Sequence, residues 1–167
     1  HELLKPKLLL NEDETPRDPA AVMAELNERF QDNGDLYFTA FLGILDTQTG
    51  LVEYCQAGHP PAVFIPDGDA RRLLGEGGFP VGIIDLATYE SETLQLQPGD
   101  RFYLYTDGVM DCVNAASEPY GTDRFLDALN VDVDRSLAES LDSVETDLSQ
   151  WVGECPFTDD VSILALE

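Results

Sequence analysis

The spacing of hydrophobic residues changes period twice along the chain. Val22, Met23, Leu26 and Phe30 recur at helical spacing and leave one stripe for burial. Asp18-Pro19 ahead of them supplies an N-cap and a proline suited to the first helical position, so the pattern predicts a helix over 19–31. Residues 11–20 are polar and proline-bearing and read as a loop. From Tyr37 to Leu45 the chain is almost continuously apolar until the turn chemistry of Asp46–Gly50, and 51–57 follows as the second arm of a hairpin. Strands are expected over 61–65, 71–74, 90–96 and 101–106, punctuated by Gly, Pro and Asp. Leu94 and Leu96 alternate with Gln95 and Gln97, as on a half-buried strand, whereas Phe102–Tyr105 suits a fully buried one. Helical spacing returns over 122–129. It returns again in Leu137, Leu141, Val144, Leu148 and Trp151, behind a capping box formed by Ser136 and Glu139. Residues 161–166 close the chain as a strand.

Hairpins with helices in separate blocks imply an α+β fold on antiparallel sheets. The chain's 167 residues suffice for one domain with a sizeable core. The apolar run at 37–45 calls for strand partners on both sides, and the architecture has no natural opening at residue 1. The expectation is therefore a single partial domain over 1–167, truncated at its N-terminal side. A sheet edge left open by such a truncation would favour a homodimer or strand exchange.

Composition narrows the partners. With 33 acidic and 9 basic residues the formal charge is −24, which repels nucleic acid and anionic membrane surfaces. The plainest use of that charge is a solvated acidic surface. No apolar run approaches the roughly 20 residues of a membrane span, and His1–Pro6 lacks a signal-peptide pattern, so the chain reads as cytoplasmic. Cys55, Cys112 and Cys155 are widely spaced with no C-x-x-C pair, and two histidines do not complete a zinc site with them. Reduced structural thiols are expected.

Two acidic groups stand out by position. Asp107 follows the expected buried strand directly, in Thr106-Asp107-Gly108, and Asp159-Asp160 directly precedes the closing strand. In adjacent antiparallel strands the end of one lies beside the start of the other. If these two strands pair, Asp107 and Asp159 meet at one sheet edge, where carboxylate oxygens suit Mg2+ or Mn2+. In so acidic a chain, spacing alone leaves an ordinary Asp-Gly turn as the stronger reading.

The motifs themselves add weight. Residues 36–46 and then Gly50–Pro61, ending in Ala57-Gly58-His59-Pro60-Pro61, resemble the strand pair and "AGHPP" turn of SpoIIE/RsbU-type metal-dependent protein phosphatases. Phe79–Ile83 resembles that family's "PLG" segment. Leu96–Asp111 is similar to its "L-x-P-G-D…Y-T-D-G-V" block, and Thr158–Leu164 to its terminal "DD-x-T-x-L" strand. The match runs in order from about residue 20 to the C-terminus.

This resemblance implies two antiparallel sheets forming a β-sandwich flanked by helices. It implies serine/threonine protein phosphatase activity with two Mn2+ or Mg2+ ions, and water attacking the phosphorus directly. Asp107 and Asp159 fall on the family's metal-binding aspartates, and Asp160 takes the second position of the acidic pair. The family's Asp-x-Ser-Gly-His-Gly loop has no match in this sequence and would precede residue 1, so the isolated chain is expected to be inactive or nearly so. By analogy the substrate would be a small phosphoprotein such as an anti-sigma antagonist, under a sensory or receiver domain. Two rivals are a pseudophosphatase that binds a regulatory partner and an acidic cation-binding domain without catalysis. No catalytic side chain is assigned: His59 reads as a turn or packing residue, Cys112 as structural and Trp151 as core.

Overall fold

In the computed structural model the described residues are 6–31, 36–75, 77–129 and 135–167. The elements in chain order are α1 (Pro6–Leu9), α2 (Pro19–Gln31), β1 (Ala40–Leu45), β2 (Leu51–Ala57), β3 (Ala62–Ile65), β4 (Arg72–Leu74), β5 (Glu92–Gln95), β6 (Arg101–Tyr105), α3 (Gly108–Asp111), α4 (Gly121–Ala128), α5 (Leu137–Val152) and β7 (Ile163–Leu166). They form an α+β fold with two antiparallel sheets, β1-β2-β5 and β4-β3-β6-β7. The chain divides into two compact units, 1–61 with 75–97 and 62–74 with 98–167. No helix among the described residues is long and apolar enough to cross a membrane.

In the first unit, β1 and β2 form the expected hairpin, with Leu45 opposite Val52. Asp46 closes its turn by accepting from the Gln48 amide at 2.8 Å, while its carbonyl accepts from Gly50 at the same distance. Gly50 has φ of 73°, and a Cβ there would stand 2.5 Å from the Leu96 carbonyl oxygen, so turn and neighbouring strand both require glycine. Helix α2 packs Val22, Met23 and Leu26 with Cys55, Ala57 and Val81. Asp18 accepts from the amides of Ala20 and Ala21, as the sequence suggests for an N-cap. One polar residue sits in the buried stripe. Asn27, 1% exposed, donates to the Ile84 carbonyl at 2.8 Å and accepts from the Gly82 amide at 2.8 Å and the Tyr89 hydroxyl at 3.3 Å. It pins the 82–89 loop to α2.

The apolar run at 37–45 would have partners on both sides in a complete domain; among the described residues β1 pairs with β2 along one side, and Phe38, just ahead of it, bridges Val81. Its residues are half-buried or exposed. A run of apolar residues marks a strand without revealing how many neighbours it has.

In the second unit, α4 and α5 cover one face of the four-stranded sheet. Val63, Tyr103 and Tyr105 pack with Phe125, Leu129, Val144 and Leu148. The capping box forms as expected: Ser136 accepts from the Glu139 amide, and Glu139 accepts from the Ser136 amide at 2.8 Å. Trp151 packs at the core margin beneath Arg124, whose guanidinium carbon lies 4.4 Å from the ring centroid. Asp147 on α5 ties this corner together. It accepts from Arg124 Nε at 3.0 Å and Nη2 at 2.9 Å, and from the Tyr120 hydroxyl at 2.7 Å.

Hydrogen bonding by Arg124 holds the Asp147 carboxyl below its usual value of 3.8, against an opposing contribution from burial. A carboxyl that titrates lower when folded stabilises the fold fully above its unfolded pKa, and that contribution is lost as pH falls through the folded value. Both partners are partly exposed, so Asp147→Asn should cost roughly 0.2–1 kcal/mol near neutrality. The gap between variant and wild type should close below pH 3.8, as read from urea unfolding across a pH series. A gap that persists unchanged in acid would refute the clamp's ionic character.

Candidate metal centre

The two acidic motifs meet because β6 and β7 pair. Their register sets Tyr105 opposite Ile163 and Phe102 opposite Leu166, so the end of β6 lies beside the segment that enters β7. Thr106 extends the seam beyond the last strand pair. Its amide donates to the Ser162 carbonyl at 3.0 Å, its hydroxyl donates to the Asp160 carbonyl at 2.7 Å, and the hydroxyl oxygen accepts from the Ser162 amide at 2.9 Å. At about 0.5–1.5 kcal/mol for each net hydrogen bond, the side chain alone fixes the 160–162 backbone with a meaningful fraction of a domain's stability.

Asp107 leaves the strand and caps α3, with its carboxylate accepting from the Gly108 amide at 3.1 Å. The sequence suggested only an Asp-Gly turn, and the structure adds this single helical turn over 108–111. Gly108 faces the acidic pair. A Cβ there would lie 2.5 Å from the Asp160 carbonyl oxygen and 3.4 Å from the Asp159 carbonyl carbon, so only glycine allows the two loops so close an approach. Asp159 accepts from the Asp160 amide at 2.7 Å. Asp107, Asp159 and Asp160 are all exposed, and among the described residues none has an ion-pair partner. A hollow of about 520 Å³ between α5 and β7 opens beside Asp159 and Asp160.

The structure therefore brings the loop that carries Asp107 next to the segment that carries Asp159 and Asp160. These exposed carboxylates supply hard oxygen donors, which suit Mg2+ or Mn2+. A cation would also offset their mutual repulsion. Among the described residues, however, no three His, Cys, Asp or Glu side chains gather in a metal-binding group. The chemistry of these carboxylates suits a hard cation, but among the described residues they do not make up a coordination shell.

The residues set aside from chemistry stay outside this site. His59 Nδ1 lies 2.8 Å from the Pro60 carbonyl, and its ring meets Phe41 edge-on at 5.9 Å. Cys112 is buried, its thiol donates to the Val109 carbonyl at 3.3 Å, and burial pushes its pKa up, away from nucleophilic character. From the sequence, Gly108 stands with the aspartates of the site, but neither the part played by Thr106 nor the close approach that Gly108 permits is visible there. A threonine at a strand end has no periodic signal, and glycine after aspartate looks like any turn.

A family model described as Stage II sporulation protein E (SpoIIE) matches residues 7–167. The phosphoserine phosphatase RsbP of Bacillus subtilis is 34% identical over 99 residues, covering 56% of this chain and 25% of RsbP. The chain spans about a quarter of the length of the curated relatives it matches. Among solved structures, the SiaA PP2C domain of Pseudomonas aeruginosa superposes with a TM-score of 0.76 at 26% identity, covering 90% of this chain and 60% of that one. RsbX in complex with magnesium shares the fold, with a TM-score of 0.63 at 13% identity, covering 89% of this chain and 64% of RsbX.

Proposed function

The chain belongs to the SpoIIE family, and from that membership we propose that it forms part of a metal-dependent phosphatase domain that hydrolyses phosphoserine or phosphothreonine in a signalling phosphoprotein. The observation that supports this reading is the β6–β7 seam, where the loop that carries the exposed Asp107 adjoins the segment that carries the exposed Asp159 and Asp160. Asp107 and Asp159 are the proposed metal ligands, and Asp160 is the second acidic group of the pair. The family model runs through both compact units, which supports treating them as parts of one phosphatase domain.

Bound Mn2+ or Mg2+ would lower the pKa of a coordinated water and offset charge on the phosphoryl oxygens. The chain's own residues do the positioning. Thr106 and Gly108 hold the two acidic loops in contact, and α3 fixes the backbone that carries Asp107. The ligands still required would come from a further segment of the same domain, as the family's aspartate loop implies. A homodimer belongs to the same proposal, since β1 and β7 each have one sheet neighbour among the described residues. A strictly monomeric mass by light scattering at high concentration would count against it.

The test is manganese-dependent hydrolysis of a phosphoserine peptide by the full-length protein beside its Asp107→Asn variant. Activity that requires manganese and falls by at least about a hundredfold in the variant is the expected result. A folded, manganese-saturated protein without activity would sink the catalytic reading and favour a pseudophosphatase that binds a regulatory partner.

A further inference from the structure

The first unit displays large apolar side chains to solvent on a backbone that is held firmly in place. Leu36 is 64% exposed, Tyr37 62% and Leu86 89%, and Phe79, Ile83 and Ile84 are exposed with them. Two segments far apart in sequence contribute these residues, and the backbone joins them. Phe38 and Val81 exchange amide-to-carbonyl hydrogen bonds of 3.1 and 2.9 Å. A Cβ on Gly82 would stand 2.7 Å from the Leu36 carbonyl oxygen and 3.5 Å from the Tyr37 Cα. Asn27 clamps the same loop from beneath through Gly82 and Ile84. Side chains shown on such a fixed backbone need little ordering when they bind, which lowers the cost of association. Large apolar side chains exposed on adjoining segments are a feature of interaction surfaces.

Charge indicates what would fit. No Lys or Arg occurs between Arg29 and Arg71, or between Arg72 and Arg101, so both contributing segments are without cations. Asp85 and Glu90 are exposed on the pinned loop or just after it. The nearest cation in sequence, Arg29, is paired with Glu25 on its own helix. A second copy of a chain with net charge −24 would meet like charge here.

We infer that the face formed by Leu36, Tyr37, Phe79, Ile83, Ile84 and Leu86 docks a protein segment whose apolar side chains are flanked by Lys or Arg. The face is distinct in its residues from the acidic seam of Asp107 and Asp159, so its binding does not depend on metal or on catalysis.

The experiment measures fluorescence anisotropy of a labelled peptide with Leu at i, i+3, i+4 and i+7 and Lys at the remaining positions, titrated with the full-length protein. Matched peptides carry Glu in place of Lys, or Ser in place of Leu. Binding of the Leu/Lys peptide should be at least about tenfold tighter than that of either control. It should weaken by about tenfold or more in the Ile83→Ser, Leu86→Ser double variant, whose substitutions are at exposed positions. Equal binding by that variant, or by the Ser-for-Leu peptide, would overturn the proposal. So would failure of Leu86→Cys to react with a maleimide in the full-length protein, which would show the face covered by its own chain. A mass that drops to that of a monomer in the double variant would assign the face to a second copy instead.

Discussion

Antiparallel pairing between β6 and β7 holds together parts of the chain more than fifty positions apart, and the candidate site exists only through it. Tyr103 and Tyr105 on β6 anchor the pair from one side by packing under α4 and α5. Where the ladder ends, the Thr106 hydroxyl takes over as both donor and acceptor to the 160–162 backbone. Gly108 then permits a contact that any side chain would obstruct. Three ordinary features therefore set the distance between two acidic loops: a buried strand, a bidentate hydroxyl and a missing Cβ. That distance decides whether Asp107 and Asp159 act on one ligand or remain two solvated turns.

Much of this could be read from residue patterns because the patterns are local. The α2 stripe, the 46–50 turn and the Ser136/Glu139 capping box each specify their element within a few residues, and each forms as expected. That the segments carrying Asp107 and Asp159 adjoin was legible for a different reason. Antiparallel neighbours place strand ends and starts together, so one correct pairing located both. Long-range contacts left no such trace. Asn27 sits in a helical stripe like a misplaced polar residue, and its role appears only when the 82–89 loop folds over it. The half-buried or exposed setting of the β1 residues has no local signature either, since apolar content does not count a strand's neighbours. The helical turn after Asp107 is too short to carry a period at all.

The two units divide the physical work. One buries a small core under α2 and uses a buried polar residue, Asn27, to fix a loop that presents apolar side chains. The other builds its core between sheet and helices, and braces it with the Tyr120–Asp147–Arg124 corner. Membership of the SpoIIE family fits both, because the family model extends across them. The chain accounts for about a quarter of its curated relatives' length.

The central claim is that Asp107 and Asp159 serve one ion. It is tested most directly by measuring Mn2+ affinity calorimetrically in the full-length protein, Asp107→Asn, Asp159→Asn and the double variant. Ligands of one shared ion should each cause a large loss, with the double variant little worse than either single one, because the two effects are strongly coupled. Losses that simply add, or affinity unchanged by either substitution, would contradict the shared site.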